Sequence, residues 1–175
     1  PVKTVQELIK LAKERPGKMN YASSGVGTTP HLAGELFKSR FGLDITHIAY
    51  KGAAPALTDT ISGVTDFGFK TALSAIPSIQ AGQLTPLAVA SSQRLSMLPN
   101  VPTMAEVGIA DFEITSWNGL FAPAGTPRDI IDRLSAACAS VAKMKDVQKT
   151  FAAQAAVVTS STPEEFKKFV AAEIK

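Results

Sequence analysis

The first half of the chain alternates short strand-like runs with helix-like runs, and this alternation restricts the fold more than any other feature. Strands are predicted over Lys18–Ala22, Ile45–Tyr50, Thr65–Phe69 and Leu84–Ala90, the last with Pro86 at its start or on a sheet edge. Helices are predicted between them. The first is capped by Thr29, takes Pro30 in its first position, runs to about Phe41 and ends at Gly42. The second covers Ala54–Ser62, opened by Pro55 and closed by Gly63. The third covers Leu73–Ala81, bent by Pro77 and stopped by Gly82. Such an order calls for an α/β domain with a largely parallel sheet. Ligands of such sheets gather at the carboxyl ends of the strands, beside helix N-termini.

The flanks read as helix with less sheet. Thr4 and Glu7 form a capping-box pair, and a helix is predicted from there to about Arg15, ended by Pro16-Gly17. Beyond a proline-bearing loop over Gln93–Pro102, Thr103 and Glu106 form a second box, for a short helix ending at Gly108. Phe112–Phe121 reads as extended. Helices are expected over Arg128 to about Met144, over Asp146–Ala153, and from Thr162-Pro163-Glu164-Glu165 to Lys175, with a short strand at Val157–Thr159. Helix starts written Thr-Pro recur at Thr29, Thr126 and Thr162, as repeated capping chemistry rather than an internal repeat.

The opening stretch PVKTVQELIKLAKERPG is already helical in pattern, so the chain is expected to begin inside a structure, without a signal peptide. With 175 residues it is long enough for one domain with a real core. Apolar residues make up 45% and charged residues 19%, a balance that separates it from disordered chains. No apolar run approaches a membrane span. The formal charge of +3 suits small anions and is too weak and scattered for nucleic acid. The single cysteine, Cys138, forms no internal disulfide and lies among small residues, where a buried apolar role is expected.

The strongest local feature is Ser23-Ser24-Gly25-Val26-Gly27-Thr28-Thr29, a loop between a strand and a helix start. Helix N-termini offer unpaired N–H groups and partial positive charge. Glycines let the backbone approach a ligand, and hydroxyls add donors. A carboxylate or phosphate fits such a place; the alternative is a capped turn with no ligand. No lysine follows the glycines as a P-loop requires, and the glycine spacing and following acid of a dinucleotide site are missing. His31, in the first helical turn, is a candidate donor to an anion or a structural residue; His47 lies within a strand. Two histidines and one cysteine give no visible metal cluster, and no metal or cofactor is expected. No nucleophile elbow or paired carboxylates appear, and Asp44, Asp59, Asp66 and Asp111 read as solvated. This shortage of catalytic groups favours a binder. In a parallel sheet, Tyr50-Lys51-Gly52 and Lys70-Thr71 would share the edge that carries the loop. Lys51 and Lys70 then either face a ligand or remain solvated charges. Trp117 lines a cleft or belongs to the core.

The blocks YASSGVGTTPHLAGELFK, ITHIAYKGAAPALTD, AIPSIQAGQLTPLAVASSQRLSMLPNVPTMAEVG, ITSWNGLFAPAGTP and TPEEFKKFV occur in that order. In this the chain resembles the substrate-binding proteins of tripartite tricarboxylate transporters, the Bordetella uptake gene family, from Val2 to Lys175. The resemblance implies a two-lobed, type II periplasmic-binding fold that closes on a small carboxylate and delivers it to a membrane permease, without catalysis. It implies a ligand loop at Ser23–Thr29 and a YKG turn at Tyr50–Gly52. It also implies a division in which residues 1–115 form the second ligand-binding lobe and residues 116–175 return toward the first.

Two departures stand out. Family members carry an additional first-lobe segment with its own glycine-rich loop, so this chain is expected to be a fragment, and it also stops before the family's usual end. The helix face of Ile130–Ala139 would then lack a partner, and burial of its apolar surface by dimerisation or exchange is the hypothesis. The second departure is Lys70, where the family commonly has an acidic or small neutral residue; a lysine favours a second anionic group, as in a dicarboxylate. The rival reading is a carboxylate-sensing effector domain or an α/β enzyme.

Overall fold

Thr4 opens the first helix as its sequence requires. In the computed structural model, which describes residues 2–153 and 156–173, helix α1 spans Val5–Glu14 and the Thr4 hydroxyl accepts the Glu7 N–H at 3.1 Å. The Glu7 carboxylate reaches back one residue further than expected, to the N–H of Lys3 at 2.7 Å. The chain divides into two units, Pro1–Ser116 and Trp117–Lys175.

The first unit is built on three parallel strands, β1 (Met19–Ser23), β2 (Ile45–Ala49) and β3 (Phe67–Gly68), in the order β2-β1-β3. Met19 pairs with Ile45 and Ser23 with Ala49; on the other side Tyr21 pairs with Phe67. Below the short β3, Asp66 and Asn20 extend the pairing. The Asp66 carboxylate accepts the Asn20 N–H at 2.7 Å and the Asn20 side-chain oxygen accepts the Asp66 N–H at 3.2 Å. Asp66 is thus a structural acceptor rather than a merely solvated charge. Helices α2 (Thr29–Phe41), α3 (Ala53–Ile61) and α4 (Ala72–Gln80) follow the three strands in turn.

The core joins α1, α2 and the sheet through Val5, Leu8, Met19, Tyr21, Phe37 and Ile45, closed from the far end of the unit by Met104, Ile109 and Phe112. Phe37 sits edge-on to Phe41, Phe67, Phe69 and Phe112, an arrangement that aromatic quadrupoles favour. Gly42 ends α2 in the left-handed conformation that a β-carbon disfavours.

Several expectations are corrected. Helix α2 starts one residue early, with Thr28 in the capping position, and no side chain caps it. No strand forms over Leu84–Ala90; there is one parallel bridge, Val89 to Thr103. Pro86 has no N–H to donate, and Val89 exchanges its bonds with Pro102 and Met104. The Thr103–Glu106 box forms both reciprocal bonds, at 2.8 and 3.1 Å, but encloses a turn instead of an α-helix. The extended segment after Phe112 joins no strand ladder; Ile114 donates to the Ala90 carbonyl.

The second unit holds α5 (Arg128–Ala142), α6 (Lys145–Ala152) and α7 (Pro163–Glu173). Arg128 ties α5 to α7 by bonding Asp132 at 2.9 Å and Glu164 at 2.6 Å. Thr162 opens α7 as expected and forms a capping box with Glu165, while Thr126 turns its hydroxyl back to the Pro123 carbonyl and caps nothing. Val157–Thr159 is not a strand. The expected helix end at Lys175 lies outside the described residues. Trp117 packs edge-on to Phe166 and Phe169 and donates to Glu173 at 2.9 Å, a role inside this unit. Cys138, expected to be buried, is exposed on α5. Ile130, Leu134 and Val141 on the same helix are also exposed, at 42%, 42% and 49%.

Candidate functional site

Parallel strands put all their carboxyl ends on one edge. Residues 24–28, 50–52 and 69–71 therefore emerge together, each leading into a helix. The candidate residues from Ser23 to His31, Tyr50 to Gly52, and Lys70 to Thr71 are brought to this edge. The first two segments are also stitched directly: Tyr50 N–H donates to the Ser23 carbonyl at 3.0 Å and Gly52 N–H to the Ser24 carbonyl at 3.1 Å.

The three helices that start here differ from the others in carrying no acid in the first turn: α5 and α6 also lack a side-chain cap but carry Asp129 and Asp146 there. Thr4 caps α1, and Thr162 with Glu165 closes the start of α7. At α2, α3 and α4 the capping positions are Thr28, Gly52 and Thr71; none makes a side-chain capping bond, and no first turn carries an acid. Three helix ends thus present N–H groups and partial positive charge to one edge without an internal anion.

The loop side chains mostly serve the loop itself. Thr28 donates its hydroxyl to the Gly25 carbonyl at 2.6 Å, and Ser24 donates to Thr28 Oγ1 at 3.3 Å. Ser23 is fully buried; its Oγ lies 2.6 Å from His47 Nε2 and accepts the Gly25 N–H at 3.2 Å. Gly25 has φ of +137°, and a β-carbon there would approach the Tyr50 carbonyl to 3.3 Å. Gly27, at φ +79°, donates its N–H to His31 Nδ1 at 3.2 Å. The Tyr50 hydroxyl is held by Asp59 at 2.7 Å, a bond that raises its pKa. Asp59 is therefore engaged where solvation was expected. Lys51 is exposed. Thr71 is exposed too, its hydroxyl sharing a bond with Ser74 at 3.0 Å. Thr29 is half-buried.

Lys70 is the electrostatic exception. Its ammonium donates to the Ala56 carbonyl at 3.0 Å and faces no carboxylate among the described residues. Burial disfavours the charged form and pushes its pKa down to about 8.

Behind the loop is a cluster that sequence reading missed. His31, Glu35 and His47 bring possible ligand atoms within 4.8 Å of one another. The His31-x-x-x-Glu35 spacing on one helix face was legible; the approach of His47 depends on strand register. The donor set is already committed. His31 Nδ1 accepts from Gly27, so the proton of the neutral ring sits on Nε2, the other possible ligand atom. Glu35 accepts from Tyr21 at 2.8 Å and from Lys38 at 3.1 Å. Burial opposes ionisation of Glu35, but these two donors outweigh it and hold the carboxyl below its ordinary range. Burial raises the Tyr21 phenol, and Glu35 raises it further. Burial lowers His47, and the neighbouring His31 pushes the same way. These bonds are ones a cation would have to displace, so the cluster fits a structural hydrogen-bond network better than a metal centre.

Residues 1–175 match the family model of the tripartite tricarboxylate transporter family receptor. Protein BugT of Bordetella pertussis is 37% identical over 172 residues, covering 98% of this chain and 53% of that protein. Among solved structures, R. palustris Rpa4515 with adipate superposes with a TM-score of 0.93 at 34% identity, over 99% of this chain and 58% of that one. The periplasmic binding protein BugD superposes with a TM-score of 0.90 at 29% identity, over 99% and 59%. The chain spans about half the length of the curated relatives it matches. No helix among the described residues is long and apolar enough to cross a membrane.

Proposed function

Since the chain belongs to the tripartite tricarboxylate transporter receptor family, a family of solute-binding proteins with the periplasmic-binding fold, we propose that its three bare helix ends receive a small carboxylate for transport. The observation that carries this reading is the contrast in charge at the helix starts. The same chain places an acid in the first turn of α1, α5, α6 and α7, yet leaves α2, α3 and α4 with neither a first-turn acid nor a side-chain cap on one edge. A carboxylate bound there accepts the N–H groups near Thr29–His31, Ala53 and Ala72, with Lys51 at the rim; the Ser24 and Thr28 hydroxyls join it only by giving up their bonds within the loop. Lys70 is the partner for a second carboxylate, so a dicarboxylate is the favoured ligand; adipate, held by the Rpa4515 protein, is one such acid. The work is done in the periplasm, by closure on the ligand and delivery to a membrane permease. Binding needs no cofactor and no catalysis: ligand contacts made only in the closed state stabilise closure.

The test is a melting series on the full-length form of the protein against mono-, di- and tricarboxylates. A ligand that binds only the folded state raises the melting temperature by mass action. The reading expects the largest rise with dicarboxylates. Equal melting temperatures with all acids and with none would refute it.

A further inference from the structure

The loop that receives the carboxylate leans on two imidazoles. Ser23 Oγ lies 2.6 Å from His47 Nε2, and Gly27 donates its N–H to His31 Nδ1 at 3.2 Å. The two rings lie against each other with centroids 4.4 Å apart, and His47 stacks on Tyr21 at 4.8 Å. Tyr21 is itself immobilised. It is fully buried, its hydroxyl donates to Glu35, and its ring occupies the space beside Gly34. Loop residues on both sides of Gly25 therefore hang from a stack rooted in the central strand. Thr28 and Ser23 hold the turn at Gly25, and His31 adds the side-chain bond at Gly27.

The contact has a protonation requirement. The Gly27 N–H is a donor, so His31 Nδ1 must carry a lone pair; a proton there sets two donors against each other. The charged groups facing the pair are few. Glu35, on the next turn of α2, favours a charged His47, while Lys38 and the other histidine oppose it. Tyr21 stays neutral between them.

We propose that His31 and His47 are positioning residues for the carboxylate loop, holding Ser23–Thr28 in its ligand-accepting shape, His31 through the lone pair on Nδ1 and His47 through its bond with Ser23. This rests on the carboxylate-binding reading above. Neither ring needs to touch the ligand. A proton on His31 Nδ1 removes the acceptor of the Gly27 N–H and loosens the loop, so affinity falls toward acid pH for a reason separate from the ligand's own titration.

The test compares the native full-length protein with the His31→Asn/His47→Gln double variant. Asparagine keeps an acceptor near the Nδ1 position and glutamine a partner near the Nε2 position, and neither titrates. Adipate affinity is measured by calorimetry between about pH 5.5 and 7.5, the histidine range. Native affinity is expected to weaken roughly fivefold more than that of the variant across this range, the worth of about one hydrogen bond. His31→Ala is expected to bind more weakly at both ends. The amide resonances of Gly25 and Gly27, followed without ligand, are expected to titrate with a histidine in the native protein and to stay still in the variant. A double variant with the native pH profile, or glycine amides indifferent to pH, would overturn the proposal. Failure of every carboxylate to bind at any pH would sink the carboxylate reading instead, and the amide titration would still decide whether the histidines brace the loop.

Discussion

A β-carbon on Gly34 would collide with the hydroxyl-bearing edge of the Tyr21 ring. The glycine in the middle of α2 is thus the notch into which the central strand's buried phenol fits, and it lets that phenol reach Glu35 one residue on. Two effects compete in Gly34→Ala. Helix propensity favours alanine by about 1 kcal/mol, while overpacking a rigid core costs about 1–3 kcal/mol. Tyr21 is fully buried and bonded at its tip, so it has little room to yield. Gly34→Ala is expected to destabilise the protein by about 1–2 kcal/mol in a denaturant titration. A stabilised variant would mean that the ring moves freely.

Gly25 separates folding from binding. Its φ of +137° and its approach to the Tyr50 carbonyl make any side chain strained there. Such strain is worth about 1–3 kcal/mol, and a loop can relieve it by shifting. Gly25→Ala is therefore expected to lower carboxylate affinity by tenfold or more, on the order of 1.4 kcal/mol, with a smaller change in melting temperature. Melting and calorimetry on one preparation give both values; a loss of stability without loss of affinity would count against the assigned loop.

Lys70 links binding to protons. Its folded pKa, about 8, lies below its ordinary 10.5. Between these values the unfolded chain holds a proton that the folded one has released, so this residue makes stability rise with pH across that window. A bound carboxylate favours the ammonium and reverses the shift. Dicarboxylate binding near pH 8.5 is expected to take up a proton, read from calorimetry in buffers of different ionisation enthalpy, and Lys70→Met is expected to abolish the uptake. Equal uptake in both proteins would remove Lys70 from the ligand's surroundings.

The exposed stripe of Ile130, Leu134 and Val141 on α5 is expected to drive association of this chain in isolation. Light scattering at rising concentration is expected to give a mass above that of one chain, and Ile130→Glu with Leu134→Glu to restore it. A monodisperse single chain at high concentration would contradict this.

What was legible in the sequence was local. Glycine stops at Gly42, Gly63 and Gly82, the threonine-glutamate box at Thr4 and the Thr-Pro start at Thr162 mark the helices within a residue or two, because backbone chemistry decides them, while the box at Thr103 marks only a turn. The alternation of strand and helix was enough to bring three candidate segments to one sheet edge. Three things were not legible. Thr29 looked like a cap because Thr-Pro favours a helix start, yet Thr28 takes that position and spends its hydroxyl on Gly25. Leu84–Ala90 had strand composition, but the partners of Val89 are a proline carbonyl and the turn at Met104. The stack of Tyr21, His31 and His47 depends on the pairing of β1 with β2, a long-range register that no local pattern encodes.

The most direct measurement is a map of amide shifts in the full-length form of the protein as adipate is added. The largest shifts are expected at residues 25–31, 51–54 and 70–73, the three uncapped helix starts of the strands' carboxyl edge, with the fully capped start of α1 unmoved. Shifts confined to other surfaces, or none at saturating acid, would contradict a carboxylate site on this edge.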